Sequence, residues 1–136
     1  MSKDKKRRWS DSLGQNNFCY QLLIHIPRQE RDYFPEMLEI INKVKSCIYQ
    51  LGMQTQGKEF ELQYEEEKVI CLPLSSGLTI IKRLEDKRII TIKIISFKSL
   101  SEEEVFTYFL QAFEVKLRDI KMYRGKYEEL NFEEGE

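Results

Sequence analysis

Three groups of residues in this chain have types that could do chemistry. The first is a small-residue corner, Ser75-Ser76-Gly77, inside the aliphatic stretch from Lys68 to Phe97. Backbone and ligand can approach closely at such a corner. The second is His25, the only histidine, which could carry a proton near neutral pH. The third is the run Glu65-Glu66-Glu67, which could bind a hard cation or supply a general base. Their surroundings weaken all three. His25 has no Asp, Glu or Cys at a suggestive spacing. Three successive carboxylates alternate direction along an extended chain and do not converge, so a solvated turn is the preferred reading. The corner has one glycine and no lysine placed to make a phosphate loop, and no Gly-x-Ser-x-Gly elbow occurs. One histidine and scattered cysteines do not make a metal cluster.

The elements that must hold these residues can be read from periodicity. Phe18–Ile26 alternates, with Phe18, Tyr20, Leu22, Ile24 and Ile26 on one face and Cys19, Gln21, Leu23 and His25 on the other. A helix is expected over 32–51, with Pro35 in its first turn and Gly52 at its C-terminal end. Its buried stripe is Met37, Ile41, Val44, Ile48 and Leu51, widened by Leu38, Ile40 and Cys47, while Glu39, Asn42, Lys43 and Lys45 face water. Phe60, Leu62 and Tyr64 alternate with Glu59, Glu61 and Gln63 in a second strand. Three more strands follow, over 68–74, 78–84 and 88–97, joined by the corner and by the turn Glu85-Asp86-Lys87. In the last of them Ile90, Ile92 and Ile94 share one face, and Ile89, Ile95 and Phe97 the other. Ser101 with Glu104 forms a capping box that opens a helix running to about Lys116, with Phe106, Phe109, Leu110, Phe113 and Leu117 buried. A short strand over 117–123 closes the domain, ending at Arg124-Gly125. The order β-α-β-β-β-β-α-β implies an α+β two-layer sandwich, an antiparallel sheet with two helices on one face.

Composition narrows the function classes. The formal net charge is −1, so bulk charge does not argue for nucleic acid. Charge is uneven, however. Residues 1–16 form a basic arm, 17–125 a single domain, and 126–136 an acidic tail; both ends are expected to be solvated. The arm could neutralise phosphates, but a solubilising tail is the preferred reading. Cys19, Cys47 and Cys71 are odd in number, widely spaced and set in apolar runs, which implies buried free thiols in a reducing compartment. No apolar run is long enough to cross a membrane, and no signal-peptide core follows the basic start, so a cytoplasmic protein is expected.

From Phe18 to Gly125 this layout resembles the short prokaryotic S-adenosylmethionine decarboxylases, pyruvoyl enzymes of polyamine synthesis. The resemblance lies in the element order, the long helix ending at Gly52, the corner before a hydrophobic strand, the aromatic late helix over 105–113, and the close at Tyr123-Arg124-Gly125. In that family the corner reads Glu-Ser-His-Leu. A backbone shift at the serine cuts the chain and leaves a pyruvoyl group. That group forms a Schiff base with the substrate amine and serves as the electron sink for decarboxylation. Here Ser75-Ser76-Gly77-Leu78 stands at the corner, so the resemblance makes Ser76 the pyruvoyl precursor. The other positions depart. The glutamate is Ser75, and the histidine beside the serine is Gly77. The processing histidine on the next strand matches Ile81, the product-protonating cysteine matches Ser96, and the processing serine falls near Lys68. Isoleucine moves no proton, and shifting the alignment by one residue does not help, because His25 lies on another strand.

The expectation is therefore a non-catalytic domain of this fold with no cofactor. It would act by binding, as a homodimer or as a heterodimer with an active relative, through the outer face carrying Ile89, Ile95 and Phe97. The alternative is an active decarboxylase of S-adenosylmethionine or an amino acid, cut between Ser75 and Ser76, with pyruvoyl formed from Ser76. A third reading is an adaptor that uses the basic arm.

Overall fold

The computed structural model describes residues 17–28, 32–64 and 67–126. The basic arm, the acidic run at 65–66 and the tail beyond 126 lie outside them. The sequence alternation becomes six strands: β1 (Phe18–His25), β2 (Phe60–Tyr64), β3 (Glu67–Leu74), β4 (Gly77–Leu84), β5 (Ile89–Ser96) and β6 (Ile120–Lys126). Helix α1 (Met37–Gln50) follows β1, and α2 (Glu102–Phe113) follows β5. All strand pairs are antiparallel, in the order β2-β3-β4-β5-β1-β6. The fold is the expected α+β two-layer sandwich.

The core lies between the helices and one face of the sheet. Tyr20, Leu22 and Ile24 of β1 and Ile90, Ile92 and Ile94 of β5 meet Ile40, Val44 and Ile48 of α1 and Val105, Phe109 and Phe113 of α2. Fully burying one such side chain contributes roughly 1.5–3 kcal/mol. Tyr20 is fully buried, and its hydroxyl is satisfied at both ends. It donates to the Leu100 carbonyl at 3.1 Å and accepts from the Leu100 N–H at 2.7 Å, which fixes the entry to α2. The two helices are also tied together: Lys43 Nζ donates to the Ala112 carbonyl at 2.7 Å and lies over the Phe113 ring. Lys43 thus crosses to the neighbouring helix instead of facing open water.

Several expected boundaries move, each for a physical reason. Helix α1 starts at Met37, not near Asp32, and Pro35 precedes the N-cap Glu36. Two arginines hold the segment before it extended. Arg83 Nε donates to the Pro35 carbonyl at 2.7 Å, and Arg88 Nη2 donates to the Tyr33 carbonyl. Those carbonyls cannot then serve as helix acceptors, and Phe34, as the residue before proline, disfavours the helical region anyway. Leu38 points away from the core and is exposed. Ser101 caps α2 as expected, with Glu104 N–H donating to its Oγ at 3.2 Å, which is one half of the expected capping box. Helix α2 nevertheless ends at Phe113, because Glu114 turns left-handed at φ 54. Leu117, expected in the buried stripe, lies exposed in a short 3-10 turn (Leu117–Asp119), and the final strand begins only at Ile120.

Candidate functional site

The corner is a two-residue hairpin: Leu74 pairs with Gly77, and Ser75 and Ser76 bridge them. Backbone hydrogen bonds fasten it from both sides. Ser75 N–H donates to the Gln54 carbonyl at 2.8 Å, and Phe97 N–H donates to the Ser76 carbonyl at 2.8 Å. Residues 54–56 run beside β3 here, with a bridge between Thr55 and Leu74 and Gln56 N–H donating to Pro73 at 2.9 Å. Ser76 is half-buried and Ser75 exposed. Gly77 lies directly against β5: a Cβ on it would stand 1.8 Å from the Ile95 carbonyl oxygen. This position has no room for any side chain, a histidine included.

The remaining candidate residues do not gather round Ser76. Ser96 is in register with Gly77, and so close to the corner, but it is fully buried. Its hydroxyl donates to the Lys98 carbonyl at 2.7 Å and accepts from the Lys98 N–H at 3.1 Å. That hydroxyl fastens the turn after β5 to the Lys98 backbone. Ile81 is sealed in the core and Lys68 is exposed at the far end of β3. A groove of about 420 Å³ at that far end is lined by Met37, Glu61, Lys68, Lys82 and Arg83, and does not include Ser76. His25 is at the far end of β1. Phe18 is in register with Ser96 and Gly77, and His25 with Ile89 and Leu84. Seven strand residues separate the two ends, about 23 Å. His25 faces Asp119 instead, 3.7 Å away. Among the described residues no group of three or more His, Cys, Asp or Glu could hold a metal.

The thiols are buried, as expected. Burial pushes Cys47 up to about 12 and Cys19 up to about 11, the latter partly offset by Lys93. Cys71 also moves up, by desolvation. A raised folded value means that burying the neutral thiol adds stability below the ordinary value of 9.0, and that this is lost as pH rises toward 11 and 12. Native protein at pH 8 is therefore expected to leave all three thiols unreacted with an aromatic disulfide reagent, whereas urea-unfolded protein gives three equivalents. Prompt reaction of even one native thiol contradicts this.

The sheet face away from the helices carries the features that sequence reading missed. Phe60, Cys71, Ile80, Lys93, Gln21 and Tyr123 line up across all six strands. Lys82, Thr91, Leu23 and Lys121 form the next row. Edge strand β2 turns its apolar residues outward, away from the helices: Phe60 is 45% and Leu62 49% exposed. On this outer face Phe97 is 51% exposed but Ile95 only 4%, so the open apolar surface lies more at β2 than at β5. Near the middle, Lys82 is buried and its Nζ meets Glu67 at 2.7 Å. The signal was in the sequence, as the lysines interrupting β4 and β5, but only the register places them side by side.

The sandwich can be set beside solved structures. The crystal structure of the adenosylmethionine decarboxylase from Aquifex aeolicus VF5 superposes with a TM-score of 0.55 over 81% of this chain and 88% of that one. The fold is S-adenosylmethionine decarboxylase-like. Sequence identity is 9%, so the likeness extends to the fold alone. No protein-family model matches the chain, and no curated protein does.

Proposed function

We propose that this protein is a non-catalytic S-adenosylmethionine decarboxylase-like domain that works by docking another protein chain on its outer sheet face. That chain is a second copy or a related partner whose activity it regulates. The observation that carries the reading is the isolation of Ser76. Its hairpin is closed by backbone bonds, the neighbouring Ser96 hydroxyl is committed to Lys98, and the histidine is a strand length away. Among the described residues, none of the candidate acids or bases named above is placed beside Ser76, and self-cleavage needs such proton transfers. The outward apolar side of β2 supports docking, because Phe60 and Leu62 gain nothing from facing water.

Intact mass separates this reading from the active alternative. The whole chain at 16.4 kDa, unreactive to hydroxylamine and to cyanoborohydride with an amine, is the expected result. Two fragments split between Ser75 and Ser76, the second beginning with a carbonyl-reactive pyruvoyl group, would establish the decarboxylase instead. Carbon dioxide release from labelled S-adenosylmethionine or amino acids would then identify its substrate.

A further inference from the structure

We propose that edge strand β2 pairs with β2 of a second copy, antiparallel and about a twofold axis through Leu62, so that two sandwiches share one continuous sheet. The inference goes beyond the docking reading above, because the contact is an edge and both outer faces stay open.

The two sheet edges differ in the way this requires. The sheet ends in β2 on one side and β6 on the other, and among the described strands β2 neighbours β3 alone. An edge strand offers backbone N–H and C=O groups to another chain, and proteins blunt such edges with charges, lysine above all, or with proline. β6 is blunted in this way: its sequence IKMYRGK carries Lys121, Arg124 and Lys126. β2 reads FELQY and has no lysine, arginine or proline. Its Phe60 and Leu62 lie exposed on the outer side.

The strand is also complementary to itself. A twofold through Leu62 sets Leu62 against Leu62 of the second copy, Phe60 against the second copy's Tyr64, and Glu61 against the second copy's Gln63. Leucine meets leucine, an aromatic position meets an aromatic position, and no like charges are opposed. The carboxylates along this edge are balanced within their own chain. Lys68 Nζ lies 3.5 Å from Glu61, and Lys45 Nζ lies 3.2 Å from Glu59.

Symmetry limits the assembly. The axis stands perpendicular to the sheet, so the helices of both copies fall on one side. Phe60 and Leu62 from both copies gather on the other side, where directly opposed side chains come within about 4.5–5.5 Å. The pairing uses up both β2 edges and leaves only the blunted β6 edges, so it closes at two copies.

The test uses the full chain with substitutions at exposed positions. Leu62→Cys sets a thiol against its own copy across the axis, and the native thiols are buried and do not compete. Under mild oxidation this variant is expected to give a disulfide-linked dimer in several-fold higher yield than Lys121→Cys on the other edge. Sedimentation velocity should show the wild type at twice 16.4 kDa and Leu62→Lys at 16.4 kDa, with an unchanged circular dichroism spectrum. Lysine at this exposed position leaves the core intact and sets two cations against each other across the axis. A wild-type chain that stays monomeric as its concentration is raised overturns the proposal. So does a dimer that survives Leu62→Lys without a 62–62 link; its contact lies elsewhere, and the face-docking reading stands. A chain found cut between Ser75 and Ser76 would end the non-catalytic reading, while a 62–62 link would still uphold the edge pairing.

Discussion

Gly77→Ala is expected to lower folding stability by about 3 kcal/mol or more, toward the upper end for a single substitution. The new methyl would lie 1.8 Å from the Ile95 carbonyl oxygen and 2.9 Å from its carbonyl carbon. Both are backbone atoms of the central strand β5 and cannot swing aside as a flexible side chain can. To admit the methyl, β4 must lift from β5 at the Gly77–Ser96 and Leu78–Ile95 pairs. Urea unfolding followed by circular dichroism measures the loss, read as a lower midpoint at unchanged slope. Ser76→Ala is the control and should stay within about 0.5 kcal/mol, since the hydroxyl is removed without disturbing the backbone. A Gly77→Ala loss no larger than the control's would mean that the hairpin opens easily, and the packing argument would fail. The result also bears on function. A histidine placed here would break the hairpin before it could supply an imidazole.

Arg88→Met is expected to cost about 2–4 kcal/mol, mainly because two carbonyls lose a charged donor at roughly 1–3 kcal/mol each. The guanidinium is almost wholly enclosed. Nε donates to the Ile26 carbonyl at 2.8 Å, Nη1 meets Asp32 at 3.1 Å, Nη2 donates to the Tyr33 carbonyl, and the group lies 5.5 Å from the Phe34 ring centroid. Methionine keeps much of the apolar stem but leaves two backbone carbonyls without their donor. The segment before α1 is then free to move. Arg88→Lys should recover little, because a single ammonium cannot reach three acceptors held in a planar fork. Arg88 also sits at φ 57, so Arg88→Gly would relax the backbone while deleting the side chain. Comparing Arg88→Met with Arg88→Gly separates the two effects. Losses below 1 kcal/mol in both would show that the clamp is dispensable.

Much of the fold was legible in the sequence because it rests on local periodicity. The alternation in Phe18–His25 and the aliphatic run around Ile92 assign the middle strands without further information. The capping box at Ser101 marks the true start of α2. What escaped depends on contacts remote in sequence. The late start of α1 is set by Arg83 and Arg88, which lie about fifty residues downstream. The exposure of Leu38 and Leu117 follows from which side each helix presents, a choice that stripe counting leaves loose. Alternation in Phe60–Tyr64 separates two faces but does not say which one meets the helices. The corner at Ser76 was located correctly. Its isolation became measurable only through the register, which sets His25 at the other end of the sheet. The row holding Lys82 and Thr91 was invisible for the same reason.

The strand order has a consequence for synthesis. β1 lies between β5 and β6, so the earliest of the described strands to be synthesised waits for the last two before it gains either neighbour. Until then the segment FCYQLLIH is a nascent apolar ribbon with both edges open, the kind of species that aggregates or recruits a holding chaperone. β3 and β4 can pair early as a local hairpin, but closing the middle of the sheet needs contacts of high sequence separation, which slow folding. Expression yield should therefore depend more on the rate of late-stage closure than on the stability of the finished domain.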